Sequence, residues 1–329
     1  TRSRLFGHMA RPPRSYSSAT LVADLLALLL LLSSLGPVAS TKHTTHETLL
    51  NATFVNASGA LLVSLAGSPW LDAAPVALRH RSHWYSSDCG ALRRGDSCRA
   101  LHPSASGFVR VRGKDTLGDY VETSLAWSTS TSPSAEPLLV VGVRSYDVAA
   151  DFAVLTQRFP QGLIPGNDSG HDDDIASSFP TIAASLRDFH VIMYEGVQLQ
   201  NARVFPWKAG TPFSSADVRP DGSSSKTPDV QGEAMPLVLI DDRASASTWA
   251  TTTLVLSPMD DFFTSRQGPS SRLQGQLSFG LKGTIGMVPP NHTYATLIVA
   301  SKNGVRAAMM RWGRLLRRAN PPLTMTTTA

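Results

Sequence analysis

Charge is scarce in this chain: Asp, Glu, Lys and Arg make up 17% of its 329 residues, against 42% hydrophobic ones. Soluble domains average about 25% charged, so the balance excludes wholesale disorder and calls for a buried core. Cysteine is scarcer still, with only Cys89 and Cys98. Two thiols nine positions apart, without CxxC spacing or a histidine cluster, argue against a zinc site. No 10–15-residue helical pattern separates consecutive apolar runs, which argues against a parallel βαβ sheet. Nor is there a Walker loop, a GxGxxG after a strand, an HExxH or a GxSxG, so the nucleotide, metalloprotease and serine-hydrolase signatures are missing. Glycosidase acids have no compact motif, and that class stays open. No cofactor is implied, and no internal repeat is visible.

What is present begins with a leader. After Met9 come Arg11 and Arg14, an apolar run from Leu25 to Leu35, and small residues up to Ser40. This is the layout of a secretory signal peptide, with Val38 and Ser40 at the cleavage-site positions. The uninterrupted part, residues 25–32, is too short for a hydrocarbon core of about 30 Å, and lengthening it would bury Asp24. A retained signal anchor is the alternative, and only then is a membrane a partner. Residues 1–40 hold four arginines (Arg2, Arg4, Arg11, Arg14) and one aspartate, so their removal takes the formal charge from +5 to +2. The basic balance is therefore no argument for a nucleic-acid partner. An extracellular or luminal location makes a Cys89–Cys98 disulfide the natural reading, with free thiols as the alternative. Four N-x-S/T sequons, at Asn51, Asn56, Asn167 and Asn291, mark glycosylation positions on solvent-facing loops or edges.

From about residue 50 short apolar runs alternate with turn residues, clearest at 60–67, 107–113, 119–130, 137–146, 152–159, 190–199, 236–242, 251–258, 276–288 and 293–301. The expected fold is mainly β, an antiparallel sandwich of the supersandwich type over 41–302. Two Gly-, Pro- and Ser-rich stretches, 160–180 and 208–236, read as loops. In "HVIMYEGVQLQNARVFPWKAGTPF" (190–213) a strand through Tyr194–Val197 is followed by an apolar corner at Phe205-Pro206-Trp207. At 303–318 Val305, Ala308, Met309, Trp312, Leu315 and Leu316 recur at helical spacing with arginines opposite, an amphipathic helix laid on protein or, alternatively, on a membrane surface. Residues 319–329 read as a disordered tail.

Candidate chemistry is thin. "GNDSGH" (166–171) has a serine-protease look without the glycine-rich continuation. "HDDDI" (171–175) makes Asp172 and Asp174 weak calcium candidates, although the EF-hand spacing and its terminal Glu are missing; a solvated acidic loop is the plainer reading. Asp241-Asp242 and Asp260-Asp261 sit where strands end and read as turn acids. Glu195 has no evident partner carboxylate, and glycoside hydrolysis needs two.

Read together, "YEGVQLQNARVFPW", "PLVLIDD", "LVLSPMDDFF", "GLKGTIGMVPPNHTYATLIVAS" and "NGVRAAMMRWGRLLRR" resemble the region before the catalytic barrel in secreted glycoside-hydrolase-like proteins related to raffinose synthases and α-galactosidases. The likeness runs over roughly 180–318. It implies an N-terminal β-supersandwich, a connector helix at 303–318, and a following (β/α)₈-type barrel whose aspartates have no counterpart among these residues. No catalytic residue can be carried over, and this chain alone is expected to be inactive. The resemblance further implies carbohydrate as partner, Trp207 and Phe213 as possible sugar-stacking groups (core packing being the plainer reading), and an apolar surface around Met309, Met310 and Trp312 that receives the barrel. The competing expectation is a stand-alone extracellular carbohydrate-binding or adhesion module.

Overall fold

A computed structural model describes residues 48–321 apart from 56–58, 74, 93–95, 133, 148–150, 167–174, 185–187, 195–201, 209–231, 234, 242–251, 271 and 274–275. Its strands, numbered from the N-terminus, form three sheets among the described residues. The seven-stranded sheet runs, in spatial order, β1 (Leu50–Phe54), β2 (Leu61–Leu65), β3 (Ser68–Ala73), β13 (Thr181–Ala184), β20 (Leu277–Leu281), β19 (Ser265–Pro269) and β16 (Gly232–Glu233). The ten-stranded sheet runs β15 (Ala202–Lys208), β14 (Asp188–Tyr194), β17 (Leu237–Asp241), β18 (Thr252–Pro258), β21 (His292–Ser301), β11 (Phe152–Phe159), β10 (Leu139–Tyr146), β9 (Gly118–Ser128) and β7 (His102–Pro103), with β8 (Val109–Asp115) also paired to β9. A small sheet joins β12 (Ser177–Ser178), β4 (Ala77–His80), β5 (His83–Ser86) and β6 (Cys98–Ala100). The strands of the two large sheets pair antiparallel throughout; in the small one β5 and β6 run parallel.

The apolar runs become continuous, rather than strictly alternating, where a strand is buried on both faces. Along β11 and β21, Ala153, Leu155, Tyr294, Ile298 and Ala300 point into the space between the large sheets. Their neighbours Phe152, Val154, Ala295, Leu297 and Val299 point to the opposite face. The first set joins Trp70, Leu71, Ile182, Phe189 and Phe279 in one core shared by both large sheets. Gln157, buried in this core, donates from Nε2 to the carbonyls of Phe179 (2.8 Å) and Phe279 (3.0 Å), tying β11 to the opposite layer. Each such bond matters, because a buried amide left unpaired costs about 1–3 kcal/mol.

The second face is covered by α1 (Gly304–Ala319), the one helix of more than a single turn among the described residues. Ala308 and Leu315 are buried in it, and Val305, Met309, Trp312 and Leu316 pack around them. Polar contacts pin the helix along its length. Arg311 forms a two-point bond to Asp151 (2.8 and 3.0 Å), Trp312 Nε1 donates to Ser257 Oγ (2.7 Å), and Arg318 Nε donates to the Thr116 carbonyl (2.8 Å). Arg317 and Arg318 in the last turn also complement the helix dipole. Met309 and Trp312, expected to form a bare docking face, are therefore half-buried against the chain's own sheet; of the three named side chains only Met310 is largely exposed (58%).

A second expectation needs correcting. Phe205-Pro206-Trp207 is not a corner but part of β15, which pairs with β14 from Asp188↔Lys208 to Tyr194↔Ala202. Proline has no N–H for a ladder, so it is tolerated at the rim of a sheet, and β15 is the end strand. Cys89 and Cys98 are bonded, Cα atoms 5.7 Å apart, beside the 3₁₀ turn Cys89–Ala91 that Asp88 caps through Gly90 N–H. On loop-entropy grounds such a bridge stabilises by about 2–3 kcal/mol.

Candidate functional site

At one end the two large sheets part, and the core opens into a cleft of about 420 Å³. One wall is β1 (Asn51, Ala52, Thr53, Phe54); the other is built from Phe108 and Arg110, Val121 and Thr123 of β9, and Val143 and Ser145 of β10. Strand alternation explains the wall. Leu125 and Trp127 of β9 and Val141 of β10 face the core, and two and four residues further out the same face carries Thr123, Val121, Val143 and Ser145. The register sets Arg110, Thr123 and Val143 side by side across three strands, with Arg112, Val121 and Ser145 in the adjacent row.

Three rings line up from the rim inwards. Phe108 stacks on Phe54 at 5.1 Å between centroids with a 25° tilt, and Phe54 stacks on buried Phe179 at 6.1 Å. Phe108 is 37% exposed, so a ring face anchored in the core reaches the opening. Around it stand the hydroxyls of Thr53, Thr123 and Ser145, the amide of Asn51, and the guanidinium of Arg110. Among the described residues no carboxylate lines the cleft. The arrangement can hold a ligand with apolar faces and polar edges; it offers no acid–base pair.

The reverse face of the same strands is tightly cross-linked instead. Arg144 Nε donates to Glu122 Oε2 (2.7 Å) and its NH1 lies 3.5 Å from Asp115. Tyr146 O–H donates to Asp115 (2.7 Å), Thr156 O–H to Glu122 (3.2 Å), and the guanidinium lies 4.6 Å above the Tyr120 ring. Burial pulls the Arg144 pKa down, but the hydrogen bond and charge of Glu122 outweigh it, so the net shift is upward. Burial, then the bond to Asp115, push the Tyr146 phenol up, so it stays neutral. These groups satisfy one another and read as a structural bracket.

A third cluster gathers at the Asp260-Asp261 turn. His292 Nε2 lies 2.8 Å from Asp261 Oδ2, and Asp261 accepts Thr264 N–H and the Ser265 hydroxyl through its carbonyl. Desolvation, reinforced by the neighbouring Asp261 charge, pushes the Asp260 carboxyl up to about 6. Its folded pKa thus exceeds the unfolded value of about 3.9, and ionisation disfavours the fold. The penalty is absent below about pH 4, grows as the pH rises toward 6, and is complete above it. Asp260→Asn is expected to raise the melting temperature at pH 7.5 and to leave it unchanged at pH 4, as calorimetry at the two pH values will show. Asp260-Asp261 is thus a turn pair, as the sequence suggested, with a pH signature of its own.

The other sequence candidates scatter. Asn51 is exposed on β1, at the lip of the cleft, and Asn291 is exposed in a left-handed turn (φ 62°) that opens β21. Asn56, Asn167, Phe213, Asp172, Asp174 and Glu195 lie outside the described residues, and Trp207 is placed only as a backbone position of the rim strand β15. The cleft residues were missed because Phe54 and Phe108 are far apart in sequence and each looks like an ordinary strand residue. The available signal was "FVRVR" (108–112), whose Val/Arg alternation announces a strand with one apolar and one basic face; the structure leaves both largely exposed.

No family model matches the chain, and no curated protein matches it. Among solved structures it is similar to the alpha-N-acetylgalactosaminidase NagBb of Bifidobacterium bifidum. For the GalNAc complex the identity is 10%, the TM-score 0.43, and the match covers 82% of this chain and 37% of that one. For the Gal-NHAc-DNJ complex the figures are 10%, 0.44, 81% and 37%. It is also similar to a Glycoside Hydrolase Family 97 enzyme from Pseudoalteromonas sp. strain K8 in complex with acarbose, at 7% identity and TM-score 0.32, covering 77% of this chain and 34% of that one. The match thus spans little more than a third of the length of these structures.

Proposed function

We propose that this chain is a secreted carbohydrate-binding β-sandwich, the non-catalytic N-terminal part of a glycoside-hydrolase-like protein. The single observation that carries the binding reading is the cleft between β1 and β8–β10. A pyranose presents C–H faces that bury well on an aromatic ring and hydroxyl edges that need partners. Phe108, held in place by Phe54, supplies the first, and Thr53, Thr123, Ser145 and Asn51 supply the second. The sequence likeness over 180–318 motivates assigning the module to a longer glycosidase-like chain, and the leader motivates secretion.

The test is binding, not turnover. Titration calorimetry against a panel of oligosaccharides should show saturable binding without release of reducing ends. Phe108→Ala should weaken that binding about tenfold, equivalent to about 1.4 kcal/mol, with only a modest drop in the unfolding midpoint, since the ring stacks on Phe54 but is partly exposed. Failure of every glycan to bind, or an unchanged affinity in Phe108→Ala, would sink the reading.

A further inference from the structure

The cleft is electrically one-sided. Among the described residues its lining holds one guanidinium and no carboxylate. Arg110 lies on β8, whose ladder partner is β9. Alternate residues of a strand share a face, so Arg110, Arg112 and Lys114 form one row on the cleft side, about 6.8 Å apart per step, while Val109, Val111 and Gly113 face the other way. Lys114 sits 3.4 Å from Asp119 at the hairpin end. Arg110 and Arg112, both exposed, make no ion pair among the described residues. The nearby carboxylates Glu122 and Asp115 belong to the reverse face and are engaged by Arg144.

We propose that the cleft takes an acidic glycan: a pyranose ring on Phe108, its anionic substituent on Arg110, and the next acidic unit along β8 on Arg112. This rests on the sugar-binding reading above and narrows its ligand class. A guanidinium presents a planar fork that binds carboxylate or sulfate oxygens in pairs, and an unpaired one beside an aromatic ring and hydroxyls is arranged for an anionic sugar rather than a neutral one. Carboxylate and sulfate are equally served by this chemistry, so the source of the anion is left to experiment.

Titration calorimetry with the full chain will be run against three oligosaccharides of equal length: an oligogalacturonate, a sulfated oligogalactoside and a neutral oligogalactoside. An acidic oligomer should bind at least tenfold more tightly than the neutral one. That preference should shrink when salt is raised from 50 to about 300 mM, since surface charges are screened over about 10 Å at 0.1 M. Arg110→Gln should abolish the preference, and Arg112→Gln should reduce it. Arg314→Gln, which removes an equal charge from the exposed side of α1, should not change it, and all three variants should melt as the parent does. Preference for the uronate assigns the anion to a carboxylate; preference for the sulfated oligomer assigns it to a sulfate. Equal affinity for the neutral oligomer, or a preference that Arg314→Gln lowers as much as Arg110→Gln, overturns the proposal while the sugar-binding reading stands. No binding of any of the three overturns the acidic-glycan proposal, and the sugar-binding reading falls with it only if the wider oligosaccharide panel also fails to bind.

Discussion

Trp70→Ala is expected to lower the unfolding free energy by about 3–5 kcal/mol, the range for truncating a large buried aromatic residue. Trp70 is 1% exposed and lies on β3 of the seven-stranded sheet, with its ring 5.1 Å from that of Phe189 on β14 of the ten-stranded sheet. The pair bridges the two layers, so the cavity left by alanine opens where neither sheet can close on it without sliding over the other. Urea unfolding followed by tryptophan-independent circular dichroism measures the effect. A loss under about 1 kcal/mol would mean that the layers do not meet at this point. Trp70→Phe, which keeps a ring against Phe189, should recover a good part of the loss.

Gly142→Val is the second large effect, expected at about 2.5–6 kcal/mol. Gly142 lies mid-strand in β10, opposite Ser124 on one side and Thr156 on the other. A Cβ there would stand 2.5 Å from Thr156 Oγ1 and 2.7 Å from Glu122 Oε1. The missing side chain is what lets the Glu122 carboxylate lie over the strand and reach Arg144. Valine forces Glu122 away, adding overpacking strain of about 1–3 kcal/mol to the loss of charge-assisted bonds worth about 1.5–3 kcal/mol in favourable cases. The double substitution Gly142→Val with Glu122→Ala separates the two contributions. If the carboxylate is the obstacle, the pair should be less destabilised than the sum of the singles.

The long strands were legible for a physical reason. Runs such as 139–146, 152–159, 237–241, 252–258 and 292–301 lie in the middle of the large sheet, buried between a second sheet and other elements, and that burial writes itself as stretches rich in consecutive Val, Leu and Ile. The helix was legible because its stripe packs on one surface only. The strands that escaped are short or polar. In β19, Ser265 and Gln267 are buried yet hydrophilic, and β15 carries a proline that is tolerated because, among the described residues, β15 is the end strand of its sheet. Periodicity reports burial on each face of an element, but not which distant element does the burying. That is why Phe54 and Phe108 gave no hint of standing together, and why the stripe of α1 announced a packed face without naming the sheet that Ala308 and Leu315 meet.

The position of Asn51 has a practical consequence. It lines the cleft together with Thr53, and the two are the first and last members of one acceptor sequon. An oligosaccharide attached there in the secretory pathway would grow from the wall of the cleft, within reach of the same phenylalanine that a free sugar would need. The molecule would then carry its own competitor, covalently tethered and therefore present at high effective concentration. Protein from a bacterial cytoplasm and protein from a glycosylating host would differ in affinity although their polypeptides are identical, and the choice of host becomes an experimental variable. Enzymatic removal of the attached glycan would then unmask a site that unmodified protein displays from the start.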